Sequence, residues 1–297
     1  MRVVVTGAGG MLGRAVMAAL GAAGHQARGL TRAEADVARL DALTRPIAEF
    51  GPDWVFHLAA FTKVDDCEAH PDHAYLVNAL GARNAALAAR GAGAPLLAVS
   101  TDYVFDGTAG TPYREYDTPA PRSVYGASKL AGERALREVH PLHMIVRTAW
   151  LYGPGGNNFV DTILHKAWVG DPLSVVDDQR GSPTSTADLA AALVRLSETR
   201  QYGTYHCTNT GDCTWFDLAE HVVARGVGRG GARVPVTRTT TESLRRPAPR
   251  PAYSVLSNQL YEHVTGHRMP PWRDAVDRHL AQIAPERPPA PRAEEDS

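Results

Sequence analysis

The chain has 297 residues, 44% of them hydrophobic, with 31 basic and 32 acidic side chains and a formal net charge of -1. That length can bury a substantial core in one large domain or two unequal ones, and the near-zero charge supplies no global field to hold nucleic acid or an anionic membrane. No run approaches the roughly 18 apolar residues of a membrane span, and Met1-Arg2-Val3-Val4-Val5 enters a strand with no secretory h-region or cleavage site, so a cytoplasmic protein is expected.

The first predicted strand, Arg2 to Thr6, runs into Gly7-Ala8-Gly9-Gly10-Met11-Leu12-Gly13 and then an apolar helix through Val16, Met17 and Leu20. Strand, glycine turn and helix in that order are the context a dinucleotide-phosphate loop requires. Gly7 makes the tight turn, Gly10 lets the backbone approach a pyrophosphate, and Gly13 lets helix and strand pack closely. The helix start at Met11 and Leu12 offers free N–H groups and a positive dipole end.

A second strand, Gln26 to Leu30, ends in Thr31-Arg32, without an acidic residue to grip a ribose 2'-hydroxyl. Arg32 suits a 2'-phosphate and favours NADPH; Glu34 nearby, and plain solvation of Arg32, keep NADH as the alternative. Asp36-Val37 follows, readable as the first turn of a helix 36 to 50. Pro52 to Leu58 is another strand, with the small pair Ala59-Ala60 at its carboxyl end, where a ribose or diphosphate can lie against backbone. A helix carrying Tyr75, Val77, Asn78 and Leu87 comes next. Cys67, Cys207 and Cys213 are an odd, scattered set, expected to be reduced and structural; no metal site is expected.

Pro95 to Val99 reads as a buried strand that brings Thr101 to its carboxyl end, where open α/β sheets bind ligands. Tyr125 and Lys129 lie four apart at the start of a helix continuing through Leu130, Leu136 and Val139, hence on one face. An ammonium beside a phenol favours the phenolate, which would let Tyr125 exchange a proton near neutral pH. With the glycine loop, this set resembles the short-chain dehydrogenase/reductase superfamily in its extended form, whose catalytic Ser/Thr, Tyr and Lys fall on Thr101, Tyr125 and Lys129.

Further blocks narrow the resemblance: Ala59-Ala60-Phe61-Thr62-Lys63-Val64-Asp65, Val77-Asn78, Ser100-Thr101-Asp102-Tyr103-Val104-Phe105, Arg147-Thr148-Ala149-Trp150-Leu151-Tyr152-Gly153, Asp178-Gln179-Arg180-Gly181-Ser182-Pro183-Thr184 and Arg250-Pro251-Ala252-Tyr253-Ser254-Val255-Leu256. Over residues 1 to about 283 they resemble the dTDP-4-dehydrorhamnose reductase family and its relatives in deoxysugar pathways. The resemblance implies NADPH held by Gly7 to Gly13, Arg32, Asp36, Val37, Ala59, Ala60, Asn78, Tyr125 and Lys129, with Asp36-Val37 against the adenine. It implies a dTDP-4-keto-6-deoxyhexose against Val64, Asp102, Tyr103, Trp150, Gln179 and Arg250, and dimerisation is typical of the family. Trp150 reads equally as core, Arg250 as part of a solvated basic loop, and Gln179 as a turn former; His57, His206 and His263 read as packed or solvent-facing.

Alternating strands and helices over residues 1 to 150 predict right-handed βαβ units and a Rossmann-like, doubly wound parallel sheet, to which roughly 176 to 210 returns through a helix 186 to 198 and a strand 204 to 208. A helix 158 to 169 and a strand 173 to 176 begin a smaller α/β unit of 151 to 175 and 211 to 283 that binds the nucleotide sugar. The Pro-rich, charged tail 284 to 297 is expected to be disordered. Two other functions compete with dTDP-rhamnose formation: a reductase or epimerase of another nucleotide sugar, and a non-catalytic subunit like the regulatory subunit of methionine adenosyltransferase.

Overall fold

The computed structural model describes residues 1–227 and 234–283. Six strands, β1 (Arg2–Thr6), β2 (Gln26–Leu30), β3 (Trp54–His57), β4 (Leu96–Thr101), β5 (His143–Thr148) and β6 (Gly203–His206), form one all-parallel sheet in the order β2-β1-β3-β4-β5-β6. Their side chains alternate between two buried layers, as the period of a strand requires. Val3, Val5, Phe56, Leu97 and Val146 enter one core with Leu189 and Leu193 of helix Thr186–Thr199. Val4, Val55, Leu96 and Ile145 enter the other with Leu43 and Ile47 of helix Leu40–Phe50 and the alanines of helix Gly81–Gly91. Both faces are therefore covered by helices, giving the doubly wound sheet that the alternation predicts. Strand order reverses at β1, whose neighbours are β2 and β3. A crevice opens there outside the carboxyl ends of the strands, and both the glycine loop and Ala59-Ala60 sit at its rim.

Beyond Trp150 a second core forms from helices Phe159–Val169, Trp215–Val227 and Trp272–Gln282 against the parallel pair Leu173–Val176 and Val236–Thr239. Residues 259–269, which sequence patterning assigns to this unit, instead supply Tyr261 and Met269 to the first core. Helix formation after β2 starts at Leu40 and not at residue 36, because the Asp36 carboxylate accepts from the Ala38 N–H at 3.0 Å and satisfies the backbone in a turn. The three cysteines are buried and free. The expected disorder of 284 to 297 lies outside the described residues.

Candidate active site

The cofactor side is built from close backbone approaches. Gly7 has φ of +71°, and a Cβ there would come within 2.6 Å of the Ala59 nitrogen, so both its conformation and its neighbour require glycine. A Cβ on Gly13 would run into the Gly7 carbonyl oxygen. Helix Met11–Ala22 begins at extended Gly10 with no side-chain cap, and its first backbone hydrogen bond is Arg14 N–H to Gly10. The N–H groups of Met11, Leu12 and Gly13 are thus the orphan donors of this helix start. A cavity of about 310 Å³ opens over this loop, lined by Gly7, Gly10, Arg32, Asp36, Val37, Ala59 and Ala60. Glu34 is tied back to Thr31 N and Oγ1 at 2.8 and 2.7 Å, which leaves exposed Arg32 as a cationic side chain on the rim.

Asn78 lies one step behind this surface. It sits in the π-helical turn Leu76–Leu80 and is 1% exposed. Its amide accepts from Phe61 N at 2.8 Å and donates to Phe61 O and Ser128 Oγ at 3.0 Å each. All of these bonds are internal, so Asn78 holds the 59–61 loop in place, and Phe61 and His73, which residue pattern did not single out, line the cavity in its stead.

Thr101 ends β4, and helix Val124–Val139, capped by Ser123 on Gly126 N, carries Tyr125 and Lys129 toward the same point. Thr101 Oγ1 donates to Asp102 Oδ1 at 3.0 Å and accepts from Tyr103 N at 3.2 Å. Tyr103 and Tyr125 meet edge to face with centroids 5.5 Å apart. Burial raises the Tyr125 phenol above its ordinary range, with a hydrogen bond to Thr101 pulling the other way. The direction is opposite to the acidified phenol that the Tyr–Lys spacing predicts. Lys129 Nζ donates to the Val99 carbonyl at 2.8 Å, and burial pushes its ammonium down to about 8, opposed by Glu133. A protonated phenol beside a mainly cationic lysine near neutral pH is nonetheless the state needed to deliver a proton. Burial also pushes Asp102 up to about 6, against hydrogen bonds from Ser254 and Thr101.

Beyond Tyr103 a second cavity of about 350 Å³ is lined by Phe159, Lys166, Gln179, Trp215, Arg246 and Arg250. Arg250 reaches it from a bidentate pair with Asp65, at 3.0 and 2.9 Å; this bond holds the Asp65 carboxyl below its usual range despite some burial. Val64 precedes Asp65 at the start of helix Val64–Ala69. Gln179 is buried and both ends of its amide are engaged, donating to Thr241 Oγ1 at 2.8 Å and accepting from Trp215 Nε1 at 3.1 Å. Trp150, in the left-handed region at φ 48°, stacks on Trp215 with centroids 3.5 Å apart and planes 5° from parallel. A non-glycine residue held there stores strain of order 1 kcal/mol or more, as residues at functional sites often do. Trp215 and Arg246 are the residues here that linear pattern did not assign; nothing in the local sequence marks Trp215, because its partners lie more than thirty residues away in the chain. His57 and His206 are buried, each pushed down to about 3 first by burial.

A crevice fit for a dinucleotide at the switch point, a Thr, Tyr and Lys set at the end of β4, and a second pocket carrying Arg and aromatic side chains define an extended short-chain dehydrogenase/reductase. The family described as RmlD substrate binding domain matches residues 1–284, and the chain belongs to it, among the dTDP-4-dehydrorhamnose reductases. It is 45% identical to dTDP-4-dehydrorhamnose reductase of Streptomyces griseus over 281 residues, covering 93% of this chain and 91% of the relative. It is 40% identical to a probable dTDP-4,6-dihydroxy-2-methyloxan-3-one 4-ketoreductase of Streptomyces antibioticus, covering 98% and 99%. Among solved structures, dTDP-4-dehydrorhamnose reductase from Bacillus anthracis str. Ames in complex with NADP superposes with a TM-score of 0.91 at 39% identity, covering 95% of this chain and 99% of that one. No helix among the described residues is long and apolar enough to cross a membrane.

Proposed function

We propose that the protein reduces the 4-keto group of a dTDP-4-keto-6-deoxyhexose with NADPH, forming dTDP-L-rhamnose from dTDP-4-dehydro-L-rhamnose. The observation that carries this reading is the Thr101, Tyr125 and Lys129 set at the carboxyl end of β4, with Tyr103, packed on Tyr125, lining the second cavity. The residues of the first cavity fit the dinucleotide: Gly7 and Gly13 let the loop pack closely on Ala59 and on the helix, Gly9 and Gly10 present bare backbone to the cavity, and the helix start above them is uncapped. When bound there, NADPH supplies the hydride for the carbonyl carbon. Arg32 pairs with the 2'-phosphate, Asp36 and Val37 border the adenine, and Ala59 and Ala60 leave room for the diphosphate and ribose. Lys129 holds the nicotinamide ribose. Tyr125 donates its phenolic proton to the carbonyl oxygen as that oxygen gains charge, and Thr101 donates a hydrogen bond to the same oxygen. Asp102, Tyr103, Val64 and Trp150 border the sugar, and Arg250 with Arg246 neutralises the diphosphate.

Another dTDP-4-keto sugar is the second reading, favoured by the likeness to a 4-ketoreductase of a differently named dTDP substrate. A purely regulatory subunit would need no intact Thr, Tyr and Lys set. We further infer a cytoplasmic homodimer from the family membership, to be checked by light scattering. The function is tested by following loss of reduced-nicotinamide absorbance with enzymatically made dTDP-4-dehydro-L-rhamnose, identifying the product, and comparing Tyr125→Phe. Turnover that gives dTDP-L-rhamnose and falls roughly 10²-fold or more in the variant is expected; no turnover with this sugar, while NADPH still binds, would refute the substrate.

A further inference from the structure

Behind Lys129 lies a pair of buried charges that the proton donor does not touch. Glu133 follows Lys129 by four residues, so the two share a face of helix Val124–Val139. Only 2% of Glu133 is exposed, yet its carboxylate accepts from Arg147 Nε at 2.9 Å and Nη2 at 2.7 Å, a bidentate pair reaching in from β5, and from Arg137 Nη2 at 3.1 Å. Arg147 is itself 1% exposed and lies over the Phe105 ring. A small cavity of about 10 Å³, near the size of one water, is lined by His57, Asn78, Ser100, Lys129 and Glu133.

A buried ion pair is weak evidence for stability, since apolar residues of similar volume often do as well. Its placement suggests a different use. Burial pushes the Glu133 carboxyl up, but Arg147 overrides this and keeps it ionised. Facing Lys129 is His57 from β3, neutral because it is buried, with Tyr125 one turn earlier on its own helix; facing the ion pair are Arg137 and, from β6, neutral His206. Glu133 is the charge that opposes the desolvation of Lys129.

We propose that Glu133, fixed by Arg147, is a positioning residue that keeps Lys129 an ammonium, ready to hold the nicotinamide ribose. The ribose rests on the reductase reading above; the charge of Lys129 does not, and can be measured without any sugar. The chain contains three lysines, Lys63, Lys129 and Lys166, of which the first and last are exposed. Carbon-13 labelling of the lysine ε position therefore yields few signals, and Lys129→Met assigns the buried one. In the wild type that signal should titrate near pH 8. Glu133→Gln should lower its midpoint by about one pH unit or more and weaken NADPH binding several-fold near neutral pH. Arg147→Gln removes the cation that keeps Glu133 ionised while Arg137 still bonds the carboxylate, so the midpoint should fall, but by less than in Glu133→Gln. A purely structural pair would instead make the two variants behave alike. Where Glu133→Gln does not fold, the double variant Glu133→Gln/Arg147→Gln removes the pair without stranding a charge, and its midpoint should still lie below the wild type. A wild-type midpoint in Glu133→Gln or in the double variant would overturn the proposal. Failure of the wild type to reduce the keto sugar would strike the substrate reading and leave these midpoints unaffected.

Discussion

Asp102→Asn should make the protein more stable at neutral pH. The carboxyl is 2% exposed, and burial raises it to about 6 from an ordinary value of 3.8. Between those values the native state binds more protons than the unfolded chain, so stability falls as pH rises through the window and the deficit is complete above about pH 6. A shift of about two units corresponds to roughly 3 kcal/mol. The asparagine amide carries no charge to desolvate, but its hydrogen bonds from Thr101 and Ser254 are weaker than a carboxylate's by about 1 kcal/mol, leaving a net gain of about 2 kcal/mol at pH 7.5. For a chain of this length that raises the thermal midpoint by roughly 3 °C. At pH 4.5 most of the gain should vanish, because the native carboxyl is then protonated and little is left to relieve. Thermal unfolding of both proteins across pH 4.5 to 7.5 reads the difference directly. A variant less stable than the wild type at pH 7.5, or a difference that does not depend on pH, would refute the reasoning. A stabilised variant with poorer turnover would fit a charge retained for the sugar pocket at the expense of the fold.

Other outcomes follow from the same geometry. Gly13→Ala, whose Cβ meets the Gly7 carbonyl, should cost about 1 to 3 kcal/mol of stability and weaken NADPH binding, whereas Gly21→Ala in the same helix, with open space at its Cβ, should be neutral or stabilising by up to about 1 kcal/mol; chemical denaturation and fluorescence titration check both. Arg32→Ala should raise the Michaelis constant for NADPH by roughly 10-fold or more while changing that for NADH little, and equal effects would remove the 2'-phosphate role. Trp215→Ala, by freeing Trp150 and Gln179 together, should raise the Michaelis constant for the nucleotide sugar by about 10-fold with that for NADPH unchanged. Loss of both affinities would indicate a general collapse of the second core.

The fold was legible because its signals are local. A buried apolar strand, a glycine turn and an apolar helix are each encoded within a few residues, and β2, the strand 173 to 176 and the helix 124 to 139 lie where their patterns put them. The candidate site was legible to the extent that spacing fixes geometry: Tyr125 and Lys129 share a helix face in any fold that keeps the helix. Environment was not. A phenol next to an ammonium in sequence predicts an acidified Tyr125, and burial reverses the sign. The family resemblance implies a cofactor contact for Asn78, whereas packing engages its amide with Phe61 and Ser128.

What the sequence by itself determined is the order of elements and the chemistry available, since hydrophobic period, glycine placement and residue type act within one or two turns of chain. Only the tertiary structure decided which groups share a cavity and which charges face one another. Trp150 meets Trp215, Asp65 meets Arg250, and Glu133 meets Arg147 across 65, 185 and 14 residues of chain. Such pairs depend on how elements pack, and the protonation of buried groups depends on the dielectric and charges that packing brings around them.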